Sequence, residues 1–164
     1  MPDHVDRITE QWRLERPDLD VTALATLGRL FRATQLAEVA LSAGLAGHEL
    51  QPGWFDLLAT LRRAGEPYEL NPTQLMGATM LTSGGITKRL DRLVAAGLVE
   101  RRPDPADRRG TLVRLTRRGK AAIDRAIETH VANERHLLAH LSASERRSLD
   151  DLLRKLLAGL EAPS

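Results

Sequence analysis

The chain has 164 residues, of which 42% are hydrophobic and 28% charged, as in a folded globular protein rather than a disordered one. This length allows one domain with a real core, or a small domain with an added arm for association. The absence of cysteine excludes disulfides, thiolate metal sites and thiol redox switches. No apolar run approaches the roughly 18 residues of a membrane span, and the first residues are charged rather than signal-like, so we expect a cytoplasmic protein.

Positive charge is concentrated in one segment. The net charge is only +2, but residues 88–120 hold eleven Lys and Arg against four Asp and Glu, a local charge of +7 that leaves −5 for the rest. A basic segment on an otherwise acidic molecule is typical of a protein that binds a polyanion. Charge alone does not distinguish a polyanion-binding surface from a solvated one. The secondary structure that carries the basic residues distinguishes the two.

Three helices are predicted in the first third of the chain. Apolar residues at near-helical spacing around Trp12 predict a short helix. Asp20 is a suitable N-cap for a long helix over 21–46. A third helix is predicted over 52–64, with Pro52 in its first turn. The inward face of the long helix is assigned to Leu24, Leu27, Leu30 and Phe31.

The middle of the chain has a helix-turn-helix pattern. Asn71, followed by proline, is an N-cap that opens a short helix over 73–77. After a tight turn, Thr82 and Ser83 cap a second, basic helix that ends before Gly97. The buried stripe of this second helix consists of Ile86, Leu90, Leu93 and Val94. Two short helices joined by a tight turn are typical of a DNA-reading unit.

A β-hairpin is predicted directly after the basic helix. Its strands are 98–101 and 112–115, and the loop 103–110 between them is rich in turn residues. Two arginines, Arg108 and Arg109, lie at the tip of the loop. This hairpin is a candidate wing.

Two more helices complete the chain. Thr116 caps a long helix over 117–140, and Ser142 caps the last one. The last helix has an unbroken apolar stripe formed by Leu149, Leu152, Leu153, Leu156, Leu157 and Leu160. An intrachain core could cover this stripe, but we favour a second copy of the chain, with the N-terminal helices intertwined.

The predicted fold is therefore mainly α with a small β-hairpin wing. It is a winged helix-turn-helix arranged as an intertwined homodimer with an added N-terminal helix. Residues 1–50 are expected to form a ligand-pocket lid and part of the dimer contact, 51–116 the DNA-binding domain and 117–164 the C-terminal dimerisation helices.

The outward face of the basic helix is expected to contact DNA. At about 100° per residue, the side opposite Ile86 holds Gly84, Lys88, Asp91 and Arg92. The small residue lets the backbone approach the major groove, and Lys88 can reach a guanine edge or a phosphate. Hydroxyls at the helix N-terminus suit a phosphate oxygen. The two arginines at the wing tip suit a narrow minor groove; the alternative is that they belong to an ordinary solvated loop. In the wing, Asp107 could hold an arginine extended. The predicted DNA contacts are Thr82, Ser83, Gly84, Thr87, Lys88, Arg92, Asp107, Arg108 and Arg109.

A family resemblance lies in the segment 82–119, T-S-G-G-I-T-K-R-L-D-R-L-V-A-A-G-L-V-E-R-R-P-D-P-A-D-R-R-G-T-L-V-R-L-T-R-R-G. It closely resembles the winged-helix core of the MarR family of bacterial regulators, and the D-x-x-D-R-R motif at 104–109 is among that family's most specific signatures. The flanking helices resemble the family's dimerisation region. The resemblance implies a roughly triangular homodimer that binds a near-palindromic operator close to its own promoter and usually represses a divergent gene.

A finer resemblance concerns an effector. The added helix with Trp12, together with W-F-D-L-L-A-T-L-R-R at 54–63, resembles the urate-responsive branch of that family. Four residues that mark the branch match Trp12, Asp56, Arg89 and Arg101. The match implies a small anionic effector such as urate that releases the protein from DNA. Similar regulators respond to di- and tricarboxylates such as trans-aconitate, and the sequence does not separate these effectors.

The positions of these four residues are physically consistent with a switch. Asp56 lies beside an apolar stripe, where an unpaired carboxylate is costly, so we expect an arginine partner. Arg89 is about 60° from Ile86, badly placed for bases but well placed for a pocket. We hypothesise that an anion contacts Trp12 and Arg89 and repels Asp56, which pulls Arg101 and tilts the basic helix. The alternative is a structural ion pair with Trp12 in the core.

Other chemistry is less well supported. His136 and His140, with His130 nearby, could bind a metal, but such residues more often pack or face solvent, and we expect no metal and no cofactor. No phosphate loop, zinc-protease motif or nucleophile elbow is present, so an enzyme is not predicted. Two alternatives stay open: a ligand-independent architectural DNA-binding protein, and an enzyme that has taken over the pocket.

Overall fold

The computed structural model describes residues 2–48, 50, 51, 53–79, 85–107 and 109–162. Within these ranges it contains seven α-helices and three short strands, in two compact units, 1–43 and 44–164. None of the described helices is both long and apolar enough to cross a membrane.

The first unit is built on two helices, α1 (His4–Glu15) and α2 (Thr22–Leu45). A capping box starts α1, since Asp3 and Asp6 each accept a hydrogen bond from the other's backbone N–H at 2.8 Å. Arg29 of α2 donates to both carboxylates, which attaches the start of α1 to α2. The helices approach closely beside Gly28, where an added Cβ would lie 3.0 Å from Val5 Cγ1.

The long helix α2 confirms the predicted element but not its predicted burial. Asp20 Oδ1 accepts a hydrogen bond from the backbone N–H of Thr22 at 2.9 Å, so Asp20 caps this end as expected. The residues assigned to an inward face are not buried in the single chain: Phe31 is 63% exposed and Leu27 42% exposed. The helical spacing of these apolar residues was predicted correctly. The described residues of this chain, however, do not bury this apolar face.

The second unit contains the remaining elements. They are a 3₁₀ turn (Ala46–His48), α3 (Trp54–Arg63), β1 (Glu69–Leu70), α4 (Pro72–Ala78), α5 (Ile86–Ala95), β2 (Val99–Pro103), β3 (Thr111–Leu115), α6 (Arg117–Leu137) and α7 (Ala143–Leu160). Every helix and hairpin strand predicted in this part of the chain is present. Only β1 and the 3₁₀ turn were not predicted.

Most of the predicted helix ends are confirmed. The side chains of Asn71, Thr116 and Ser142 accept hydrogen bonds from backbone N–H groups in the first turns of α4, α6 and α7. Gly97 ends α5 with a positive φ of 68°, and its N–H donates to Val94 O at 2.9 Å. The next N–H, of Leu98, reaches back to Leu93 O at 3.0 Å, which completes a Schellman motif.

Two helix starts were predicted wrongly. The helix α3 begins at Trp54 after Gly53 (φ 79°), not at Pro52, and α5 begins at Ile86 after Gly85 (φ 85°), not after Thr82 and Ser83. Glycine reaches the left-handed region without a steric penalty, so the chain turns directly into each helix without a side-chain cap. Pro52, Thr82 and Ser83 themselves lie outside the described residues.

The sheet has the order β1-β3-β2 and is antiparallel throughout. In the hairpin, Val99 pairs with Leu115 and Arg101 with Val113. The short strand β1 adds to the other edge of β3, where Glu69 pairs with Arg114. The wing is thus anchored at its base by buried residues of β2 and β3.

The core of the second unit joins α3, α4, α5, the sheet and α6. Its buried members are Trp54, Leu57, Leu58, Leu61, Leu75, Ile86, Leu90, Leu93, Leu98, Val99, Val113, Leu115, Ile123 and Ala126. The start of α6 packs so closely on the segment between α5 and β2 that a Cβ at Gly119 would lie 1.8 Å from the carbonyl oxygen of Leu98. Burial of α5 on this core fixes which of its faces remains accessible.

Candidate nucleic-acid interface and effector site

The helix α5 presents one apolar and one polar face. Ile86, Leu90 and Leu93 are buried in the core. Thr87, Lys88 and Arg92 are exposed, as a helix that enters a groove requires. The other predicted contacts at this helix, Thr82, Ser83 and Gly84, lie outside the described residues.

The wing loop is shaped by two aspartates. Asp104 Oδ1 accepts a hydrogen bond from the N–H of Ala106 at 2.8 Å, and Asp107 Oδ1 accepts one from the N–H of Arg109 at 2.9 Å. The suggestion that Asp107 holds an arginine side chain is therefore wrong for Arg109, because the carboxylate binds its backbone instead. Asp107 and Arg109 are exposed, and Arg108 lies outside the described residues.

A partly buried acid that sequence reasoning missed lies on the wing sheet. Glu69 Oε2 is 4.0 Å from Arg102 Nη1 and 4.0 Å from Arg114 Nε, and it is buried without a hydrogen-bond partner among the described residues. Because β1 has only two residues, no alternation in the sequence marks it as a strand. The pairing with β3 brings Glu69 to these arginines.

Arg101 connects the wing to α5. Its Nη2 donates to Asp91 Oδ1 at 2.8 Å, and both side chains are about half exposed. The hypothesis placed Arg101 under the control of Asp56, but in this structure Arg101 binds Asp91 on the accessible part of α5. The sequence spacing allowed both partners, and the contact with Asp91 was not anticipated.

Asp56 is the third residue of α3. One of its oxygens, Oδ2, is buried and has no hydrogen-bond partner among the described residues. The positive end of the helix dipole favours a negative charge in this first turn, which partly replaces a counter-ion. The expectation of an arginine partner is therefore not met: in the described part of the chain, Asp56 forms no ion pair.

Arg89 reaches the same end of α3. A Cβ added to Gly53, the N-cap of α3, would lie 2.9 Å from Arg89 Nε and 3.2 Å from its guanidinium carbon. Arg89 is half-buried, and its side chain therefore crosses the backbone three residues before Asp56. The structure thus brings Arg89 and the first turn of α3 together, but without direct contact between Arg89 and the Asp56 carboxylate.

The fourth candidate, Trp12, belongs to the first unit. It lies on α1 and is 45% exposed, so it is not a core residue in the single chain. Its ring is free to form part of a ligand surface.

The histidines in and just after α6 are not gathered into a cluster among the described residues. His130 lies against Phe55, with ring centroids 4.3 Å apart, and its Nε2 is 3.3 Å from Glu134 Oε1. His136 and His140 are exposed. In the described ranges, no group of three or more His, Asp or Glu side chains is arranged to hold a metal ion.

Comparison with known proteins decides the family. A sequence profile of the MarR family matches residues 48–110, from the 3₁₀ turn to the wing. The HTH-type transcriptional regulator PecS of Dickeya dadantii (strain 3937) is 44% identical over 149 residues, which are 91% of this chain and 90% of PecS. The chain belongs to the MarR family.

Solved structures of MarR-like regulators agree with this assignment. A mutant MarR from Escherichia coli complexed with operator DNA is 32% identical, with a TM-score of 0.73 over 84% of this chain and 97% of that one. BpsR of Bordetella bronchiseptica, whose DNA binding is regulated by 6-hydroxynicotinic acid, is 26% identical, with a TM-score of 0.72 over 83% and 93%. The chain is a DNA-binding transcription regulator with a winged-helix fold, and its curated relatives are regulators.

Proposed function

We propose that this MarR-family protein is a cytoplasmic homodimeric repressor that a small planar anion of the urate type releases from a pseudo-palindromic operator. One observation carries the effector proposal: a buried carboxylate oxygen of Asp56, in the first turn of α3, has no hydrogen-bond partner among the described residues, and Arg89 reaches that same turn from α5. A site with a cation and a carboxylate oxygen that has no partner among the described residues is suited to a ligand with acidic oxygens and N–H donors.

The same arrangement suggests how binding reaches the DNA-reading helix. An anion held by Arg89 and the first turn of α3 repels the Asp56 carboxylate and pulls on the start of α5. Trp12 of α1 supplies a flat apolar surface, as the family resemblance implies. Arg101 passes a shift of α5 to the wing through Asp91. A coupling of only about 1–3 kcal/mol changes DNA affinity about 5- to 150-fold.

The homodimer is proposed from apolar surface that the single chain leaves uncovered. The leucine stripe of α7 is largely exposed, with Leu160 at 71%, and α2 contributes further exposed apolar residues. Monomeric soluble proteins rarely expose apolar patches of this kind. Sedimentation equilibrium should give twice the chain mass of 18.1 kDa. The variant Leu157→Asp with Leu160→Asp should shift the equilibrium toward the monomer, whereas a wild-type monomer would contradict the proposal.

The decisive experiment is DNA binding with and without the effector. The probe is duplex DNA from upstream of the protein's own gene, followed by fluorescence anisotropy and footprinting. Urate should weaken the wild-type complex, and Arg89→Ala should bind DNA but lose most of this response. Arg147→Ala removes an exposed arginine of α7 and should respond as the wild type does.

Parallel titrations identify the effector class and test the regulator itself. If trans-aconitate releases the protein and urate does not, the effector is a carboxylate rather than a purine. If neither changes DNA affinity, the effector proposal is wrong. Equal affinity for the upstream DNA and for a random duplex would indicate an architectural protein instead.

A further inference from the structure

The outer face of the wing sheet carries charged residues from all three strands. In the antiparallel register, Glu69 of β1 pairs with Arg114 of β3, which also pairs with Glu100 of β2. Paired residues project from the same face of a sheet, and Arg102, two positions after Glu100, projects from that face as well. The opposite face packs on the core through the buried Val113. The charged face is therefore turned away from the core of the second unit.

Arg102 reaches a long way across this face. It lies on β2, and the strand order β1-β3-β2 places β3 between it and Glu69. Because neighbouring strands are about 4.8 Å apart, the backbones of β1 and β2 are separated by about 10 Å. Arg102 Nη1 nevertheless comes within 4.0 Å of Glu69 Oε2. The guanidinium of Arg102 is thus drawn across the sheet toward this acid.

The Arg102 side chain also runs away from the wing tip. Arg102 comes directly before Pro103, the last residue of β2, and so lies just behind the tip loop. Its cross-strand partner is Leu112, whereas Glu69 lies opposite Arg114, two residues closer to the base of the hairpin. The side chain of Arg102 therefore bends back from the tip half of the wing toward its base.

The contact between Arg102 and Glu69 is loose. At 4.0 Å the two atoms attract each other by charge but do not form a hydrogen bond, which requires about 3.2 Å or less. The Glu69 side chain is only 21% exposed, whereas half of the Arg102 side chain is exposed. An exposed arginine that is held by charge alone leaves its acid at little cost.

DNA offers Arg102 a stronger partner. The minor groove is about 6 Å wide, so a hairpin whose tip enters it passes between two sugar-phosphate backbones. Residues directly behind the tip then lie beside phosphates, and Arg102 is in this position. A guanidinium forms two parallel hydrogen bonds with a phosphate, and Arg102 has no such bonds with Glu69.

We propose that Arg102 is a further phosphate-binding residue of the wing and that Glu69 competes with DNA for its guanidinium. In the free protein the Glu69 carboxylate takes the place of the phosphate. In the complex Arg102 extends toward the tip and binds the DNA backbone. The competition lowers the affinity for every duplex alike, because phosphate contacts carry no sequence information. This role of Arg102 rests on the proposed contact of the wing with DNA but not on the effector.

A double-mutant cycle measures the competition. The probes are the upstream duplex and a random duplex of the same length, followed by fluorescence anisotropy at several KCl concentrations without urate. Arg102→Gln should weaken binding to both duplexes about 5-fold and reduce the slope of log affinity against log salt by about 1. Glu69→Gln should strengthen binding to both about 5-fold. In the Arg102→Gln background, Glu69→Gln should change the affinity little, because the arginine for which it competes is gone.

Two further variants separate this competition from a general effect of charge. Glu100→Gln makes the same charge change on the same face, and Glu100 forms no ion pair in the described part of the chain. It should change DNA affinity equally with and without Arg102. Arg114, the other arginine 4.0 Å from Glu69, lies nearer the base of the wing. In an Arg114→Gln background, Glu69→Gln should therefore strengthen binding as it does in the wild type.

Three results would overturn the proposal. The first is unchanged DNA affinity in Arg102→Gln. The second is weaker binding by Glu69→Gln, which would make Glu69 a support of the wing rather than a competitor. The third is an equal gain from Glu69→Gln with and without Arg102, which would make its effect one of general charge.

Arg109→Gln, in the tip loop, tests the wing contact itself. If Arg109→Gln weakens binding and Arg102→Gln does not, the wing contacts DNA and the role given to Arg102 is wrong. If neither variant weakens binding, the wing does not contact DNA, and both proposals are wrong. None of these measurements depends on a response to urate, so the effector proposal fails or stands separately.

Discussion

Arg101 of the wing donates a 2.8 Å hydrogen bond to the carboxylate of Asp91 on the recognition helix. Both side chains are about half exposed, so solvent screens the pair and its contribution to folding is small. Its importance is geometric, because it connects the first strand of the wing to α5, the helix proposed to enter the groove. The same carboxylate also reduces the positive charge that this region presents to DNA.

Removal of the Asp91 charge should therefore affect DNA binding more than folding. Asp91→Asn should lower the free energy of unfolding by less than about 1 kcal/mol. Affinity for a random duplex should rise, and the salt dependence of binding should steepen, because Arg101 becomes available to a phosphate. Urea unfolding and anisotropy titrations at several KCl concentrations measure both effects. As a control, Asp150→Asn breaks a similar exposed pair on α7 and should leave the salt dependence of DNA binding unchanged. If Asp91→Asn also leaves the dependence of DNA affinity on KCl concentration unchanged, this interpretation is wrong.

A charged cluster between α3 and α6 should make stability depend on pH at the acidic end. The Lys120 ammonium at 2.8 Å and the Arg62 guanidinium at 2.6 Å hold the pKa of Asp124 below its ordinary value of 3.8. A lowered pKa in the folded state stabilises the fold above the unfolded pKa, and this stabilisation is lost as the pH falls through the folded value.

The matching experiment is a comparison of melting temperatures from pH 7 to pH 2.5. Asp124→Asn should melt below the wild type at pH 5–7, by a constant difference, and the difference should shrink once the pH falls below 3.8. A difference that stays constant to the lowest pH would mean that Asp124 contributes by packing rather than by charge.

The sequence predicted the helices, the hairpin and most caps because these depend on local chemistry. Asn71, Thr116 and Ser142 cap helices through bonds to residues three positions away. By contrast, β1 was missed because its two residues form a strand only by pairing with β3, far along the chain. Local patterns carry no information on such a partner.

The candidate site was predicted less well for a related reason. Helical spacing gives the direction in which a side chain leaves a helix, but it does not give the partner that a long arginine reaches. A movement of Asp56 was expected to pull Arg101. Arg101 instead binds Asp91 of α5, the helix that precedes its strand. Arg89 was expected near a pocket. Its approach to Gly53 depends on the left-handed conformation of Gly53 at the N-cap of α3, which the sequence did not predict.

Gly119 should be among the positions least tolerant of substitution. A Cβ there would lie 1.8 Å from the Leu98 carbonyl oxygen, a backbone atom that cannot move away as a side chain can. Gly119→Ala should reduce the free energy of unfolding by more than about 2 kcal/mol, measured by urea denaturation. The control is Gly77→Ala in α4, where nothing lies within 4 Å and stability should be unchanged or rise by up to about 1 kcal/mol. Equal stability of the two variants would contradict the close packing of α6 on the segment between α5 and β2.

Gly53 should couple stability to the effector response. Its φ of 79° is costly for an alanine by about 1–2 kcal/mol, and the new Cβ would meet Arg89 Nε at 2.9 Å. Gly53→Ala should therefore lower the melting temperature moderately and displace Arg89 from the first turn of α3. Urate should release this variant from DNA less effectively than the wild type. Gly85→Ala has the same strain (φ 85°) but no neighbour within 4 Å, so a lower melting temperature with a normal urate response is expected for it.

Lys88 gives the most direct test of the groove-facing helix. It is exposed on the side of α5 opposite the buried Ile86, so an ammonium there reaches DNA without rearrangement of the core. Lys88→Ala should keep the wild-type melting temperature but weaken operator binding by about 10- to 100-fold, the range for loss of one charged contact. Lys155→Ala on α7 removes the same charge far along the chain from the recognition helix and should leave affinity nearly unchanged. If Lys88→Ala binds the operator as tightly as the wild type, α5 does not enter the groove in the orientation that its buried face implies.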